Sequence, residues 1–122
     1  MNSLITMTGR KKMAEARAGI KPVSPITQIA VGDGGLEEDG TLKSPGETLY
    51  HEVLRRDVES ITKVSDTCYR YKLQMNDDEL PKCAISEAVL IDSDGDIVAS
   101  ITFEKKVKDE GAKMFFEMDD NF

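Results

Sequence analysis

The sequence predicts an α+β fold that is mostly antiparallel β, with about six strands, a short N-terminal helix and one further short helical segment. Three observations carry this. Cys68–Met75 alternates, with Tyr69, Tyr71, Leu73 and Met75 on one face, the period of two of a half-buried strand. Asp92-Ser93-Asp94-Gly95-Asp96 puts an Asp-Gly step between two apolar runs, a hairpin signal. Ala14, Ala16 and Ala18 form a helix-favouring stretch that Gly19 and Pro22 stop.

In chain order, the helix is expected over Thr8–Gly19, with Thr8 as its cap. Its apolar stripe is narrow, so it needs a sheet to lie on. Ile26–Val31 is β-rich and follows Pro25, which suits the first position of a strand. Gly32-Asp33-Gly34-Gly35 ends that strand, the glycines reading as residues free to take positive φ in a sharp bend. The polar stretch 36–47, with Gly40, Pro45 and Gly46, reads as a long exposed loop. In Thr48–Arg56, Leu49, Val53 and Leu54 fall at helical spacing, with Glu52 and Arg55 three apart, which predicts a short helical turn carrying the lone His51.

Val58–Val64 reads as a strand, with a turn at Asp66 and Thr67. An acidic loop begins at Asn76 and closes at Pro81. Cys83–Ile91 is almost continuously apolar and small, which fits a central strand or one covered on both faces. Ile97–Phe103 is its hairpin partner, and residues 104–113 are charged and interrupted by Gly111. Met114–Met118 is the last strand. No internal repeat is present, and 122 residues suit a single domain over 1–122 with one core.

Composition excludes several functional classes. Apolar residues make up 39% and charged residues 32%, a balance that argues against disorder. The formal net charge is −7, which argues against nucleic acid as a partner. No apolar run approaches the roughly 7–15 residues of a secretory signal or the about 20 of a membrane span, so no membrane association is expected and the protein should be made in the cytoplasm. Cys68 and Cys83 are the only cysteines and read as buried, reduced thiols. With a single histidine they do not complete a zinc set, so no metal is expected.

Three motifs invite chemistry. Gly32-Asp33-Gly34-Gly35 follows a strand as a phosphate loop does, yet acidic Glu37, Glu38 and Asp39 come next and no Walker lysine follows, so no cofactor is expected. Asp92–Asp96 resembles the start of a calcium loop. Counted from Asp92, however, the sixth and twelfth positions are Ile97 and Phe103 where Gly and Glu belong, so it reads as a hairpin turn with a surface cation as the alternative. His51 has no adjacent nucleophile, and no catalytic residue is expected.

Four segments taken together carry a family resemblance: Thr6-Met7-Thr8-Gly9-Arg10; Ile26-Thr27-Gln28-Ile29-Ala30-Val31-Gly32-Asp33-Gly34; Thr48-Leu49-Tyr50-His51-Glu52-Val53-Leu54-Arg55; and Ile85 to Ala99, with Leu90-Ile91-Asp92-Ser93-Asp94-Gly95-Asp96-Ile97-Val98-Ala99 at its end. In order and spacing they resemble the N-terminal domain of phage tail-collar fibre proteins over roughly residues 4–103. The resemblance implies a structural, non-catalytic virion tail protein that docks a fibre or accessory protein to the baseplate. It would be present in the host cytoplasm during assembly. Gly32, Asp33 and Gly34 would then form a shaped bend, Glu52 and Arg55 an ion pair, and Asp94 and Gly95 the hairpin turn. Tail fibres of this kind continue into a trimeric shaft. This sequence has no collagen-like or coiled-coil repeat to build one, so a baseplate component or a connector for a separate fibre is expected.

The expected partners are other tail or baseplate proteins and further copies of the chain. Residues 61–122 hold 14 acidic and 8 basic side chains, a net of −6, leaving −1 for residues 1–60. Arg10, Lys11 and Lys12 are therefore candidate interface residues. Met114, Phe115, Phe116 and Phe122 are candidates as well, within a contact segment 104–122, although alternate residues there could instead complete the buried face of the sheet. A small carbohydrate- or ligand-binding module without catalysis is the alternative, for which Tyr50, Tyr69 and Tyr71, with the four Phe, would supply aromatic surface.

Overall fold

The computed structural model describes residues 2–76, 79, 84–109 and 111–122. Among the described residues are one helix, α1 (Met7–Arg17), and eight strands: β1 (Asn2–Ile5), β2 (Ile26–Gly32), β3 (Glu52–Asp57), β4 (Ser60–Ser65), β5 (Cys68–Met75), β6 (Ala84–Asp92), β7 (Ile97–Val107) and β8 (Met114–Asn121). These form two antiparallel sheets, one ordered β1-β7-β6-β2-β3 and the other β4-β5-β8. The expectation of about six strands and a second helical segment is thus corrected to eight strands and one helix.

The segment expected to be helical is where β3 lies. Val31 pairs with Leu54 and Gly32 with Glu52, so a bulge leaves Val53 as an extra residue. Val53 and Leu54 consequently both lean on the core, and the alternation that identifies a strand is broken. Pairing with β2 decides the conformation over local spacing. The bulge also brings Glu52 and Arg55 together, with Arg55 Nη2 donating to Glu52 Oε1 at 2.8 Å on an exposed edge. Strand β1 offered only Leu4 and Ile5 as signal; pairing with β7 makes it a strand.

One core lies between the sheets. Ile29, Val31, Ala88, Leu90, Ala99, Ile101 and Phe103 of the larger sheet meet Leu73, Met75, Phe116 and Met118 of the smaller. Phe103 and Phe116 stack with centroids 5.1 Å apart. On the far face of the larger sheet, Ala30, Val89 and Ile91 pack with Leu49 and Ile97. Strand β6, central in its sheet, is therefore covered on both faces, as its unbroken apolar run implies.

Helix α1 begins two residues earlier than its expected cap allows. Thr6, not Thr8, is the N-cap, its hydroxyl accepting from Gly9 N at 3.0 Å and donating to Ile97 O at 2.7 Å. Gly9 is needed for contact, because a Cβ there would strike the Val98 carbonyl. The Cys68 thiol is free and buried, and burial pushes its pKa up; Cys83 and Pro81 lie outside the described residues. Among the described residues, no helix is long and apolar enough to cross a membrane.

Candidate functional site

Strand β6 carries a carboxylate, Glu87, in the middle of its apolar run, and it is only 2% exposed. A buried charge must be met by polar partners. Here the partners are main-chain amides: Gly34 N and His51 N donate to Oε2, each at 2.9 Å, and Tyr50 N donates to Oε1 at 2.7 Å. One side chain thereby fixes both ends of the connection between β2 and β3. Ser86 adds a fourth tie, its hydroxyl accepting from Gly35 N at 2.9 Å.

The glycines at the end of β2 and just beyond it serve this cradle. Gly32, Gly34 and Gly35 are not among the positive-φ residues, which corrects the expectation of a bend that needs left-handed backbone. They are required by close approach. A Cβ at Gly32 would run into the His51 carbonyl and the Glu87 carboxylate, and one at Gly35 into the Ser86 carbonyl. Asp33 sits outside the cradle, with Oδ1 2.5 Å from His51 Nδ1 on the surface.

The connection from residue 33 to residue 51 forms an arm folded over the outer face of the larger sheet. Leu36 bridges Leu42, and the exposed tip holds Glu37, Glu38 and Asp39. Asp39 accepts from Thr41 N and Oγ1, and these bonds hold its carboxyl below the usual range. Thr102 Oγ1 donates to Lys43 O and Ser100 Oγ to Gly46 O, both at 2.7 Å, binding the arm to β7. Glu47 then accepts from Met7 N at 2.9 Å with Oε2 and 3.0 Å with Oε1, placing a carboxylate at the start of α1. The stretch 36–47 is thus exposed at its tip and half-buried at its base.

A second buried carboxylate, Asp92, ends β6. Its Oδ1 accepts from Asp94 N and Asp96 N at 3.0 and 3.1 Å, shaping the hairpin turn, where Gly95 takes φ 86°. The carboxylates of Asp92, Asp94 and Asp96 converge as cation ligands would. The cation is the chain's own: Lys12 Nζ lies 2.5 Å from Asp92, 3.1 Å from Asp94 and 2.7 Å from Asp96. These bonds, Asp92 first, hold Lys12 well above the ordinary lysine pKa. Hydrogen bonds from Ser24 and then Lys12 hold Asp94 below the ordinary carboxylate range.

The remaining candidates separate by exposure. Arg10 and Lys11 lie exposed on α1, whereas Lys12 is half-buried and engaged with the hairpin. On β8, Phe116 belongs to the core and Met114, partly buried, packs against it, as the buried-face reading of this strand expects. Phe115, on the opposite face, is 50% exposed beneath Lys72 Nζ, and Phe122 is 62% exposed. Glu87 was missed in the sequence although a signal existed: a lone acid within the apolar run of residues 84–91 has to be anchoring something. The link from Lys12 to Asp92 had no such signal, since 80 residues separate the partners.

The sequence profile of the phage tail-collar fibre protein N-terminal family matches residues 1–115, a span that takes in α1, the glycine cradle, Glu87 and the Lys12 cluster. No curated protein and no solved structure matches the chain. Proteins of this family are structural components of the virion tail and associate with other tail proteins. With nearly the whole chain spanned by the match to the family's N-terminal region, this protein belongs to the phage tail-collar fibre family.

Proposed function

We propose that this domain is a non-catalytic docking module that joins a fibre or accessory protein to the tail baseplate, and that it works as a homo-oligomer. The observation that carries the reading is how the buried polar side chains are used. Six of the seven buried polar or charged side chains among the described residues, Glu87, Asp92, Ser86, Ser100, Thr102 and Thr6, bond to main-chain groups and so shape loops. Among the described residues no buried side-chain nitrogen or oxygen lacks a partner. Polar groups committed to backbone suit a surface of fixed form better than a reacting centre, which needs groups free to move protons. The arm over β7 and the exposed Phe115 and Phe122 are the parts of that surface we assign to contacts.

Co-expression with the baseplate proteins of the same virus tests the reading. A stoichiometric complex on size-exclusion chromatography is the expected result, weakened by replacing Phe115 and Phe122 with Ser while the circular dichroism spectrum is unchanged. A monomer that forms no complex with any of those proteins would overturn it.

A further inference from the structure

On β8 the core-facing positions alternate: Phe116 and Met118 are buried, and the next residue on that face is Asp120. A carboxylate at a core-facing position is a departure from strand patterning that calls for a role. Asp120 lines a cavity of about 320 Å3 between α1 and the open end of the two sheets, walled by Met13, Val23, Val98 and Phe122, with Tyr71 beside it. The other acids that are not fully exposed all have partners: Glu15 has Lys11, Glu79 has Arg56, and Glu87 and Asp92 have those given above. Asp120 has neither a hydrogen bond nor an ion pair among the described residues. Burial raises its carboxyl pKa above the ordinary value, the mark of a charge without compensation.

We propose that this cavity receives one arginine or lysine side chain presented by a neighbouring tail protein, with the aliphatic stem against Met13, Val23, Val98 and Phe122 and the cationic head on Asp120. The proposal rests on the docking reading and names the chemistry of the partner. The volume sits at the lower end of the about 300–1,000 Å3 typical of ligand sites, room for a side chain rather than a folded element. A long basic side chain is the one natural group with both an apolar stem and a cation at its end. A single carboxylate is too few ligands for a divalent ion and repels an anion. The cation already lining the cavity, Lys12, is held by its three aspartates and leaves Asp120 uncompensated.

The test titrates n-butylguanidinium into the isotope-labelled protein and follows amide and methyl resonances. Saturable shifts at Met13, Val23, Tyr71 and Val98 are expected, with millimolar affinity, roughly tenfold weaker in Asp120→Asn. The same stem without charge, n-butanol, should leave them unmoved. The variant keeps its fold because it removes an uncompensated charge, and dispersed amide resonances verify that. Equal binding by Asp120→Asn, or no saturation by about 50 mM, would overturn the proposal. Concentration-dependent shifts at these residues without the probe would make a second copy the occupant and overturn the assignment to a different protein. The titration needs no tail protein, so its failure is distinct from a failure to form the baseplate complex.

Discussion

Strand β6 carries two carboxylates, each 2% exposed, and stabilises them in different ways. Glu87 is neutralised by the partial positive charges of three main-chain amides, whereas Asp92 takes two amides and a lysine from α1. The amides belong to a connection that has no sheet ladder of its own, so Glu87 gives the arm between β2 and β3 its shape. Lys12 belongs to a helix that is already formed, so Asp92 fixes only where that helix sits. The first carboxylate builds structure, and the second positions structure built elsewhere.

Removing Glu87 should therefore cost the most. Glu87→Ala leaves three part-buried amides without acceptors, and a loss of about 4 kcal/mol in urea unfolding is expected. A cost near that of an ordinary surface substitution would break the comparison. Next comes Gly35→Ala, whose added methyl meets the Ser86 main chain, which cannot step aside; about 2–3 kcal/mol is expected. Gly95→Ala is its control, where the space is open and only the positive φ opposes a side chain, at about 1 kcal/mol.

Lys12→Met should cost about 2 kcal/mol, less than Glu87→Ala, because Asp94 and Asp96 can turn to solvent once the lysine is gone. Its signature is in the pH dependence. A carboxyl held low in the folded state, as Asp94 is, adds stability above its unfolded value of 3.8, and that stability disappears as pH falls through the folded value. Lys12→Met should flatten this acid limb, though not abolish it, since the bond from Ser24 remains. Thermal melts between neutral and strongly acidic pH will show whether the limb changes. The smallest effect is expected for Glu47→Gln, about 0.5 kcal/mol, a carboxylate at an exposed helix start.

The same contrast explains what the sequence made legible. The hairpin at Asp94-Gly95 and the two-sided cover of β6 depend on neighbours along the chain or on composition, and both could be read directly. Strand β3 was hidden because a bulge sets Val53 and Leu54 side by side and imitates helical spacing. The glycine cluster was recognised as special for the wrong reason: its need is contact with residues some 16 to 55 positions away, which no local rule encodes. The family pattern was visible as motifs in order, while the carboxylate of the fourth motif that binds the second and third together went unmarked.

The link between Glu47 and the first amide of α1 makes the arm and the helix one mechanical unit. A tension applied to the acidic tip reaches this exposed contact as well as the part-buried bonds on Glu87, and the exposed contact is the weaker. Under a moderate pull the helix start would let go while the cradle held, so the arm could yield a little without the sheet giving way.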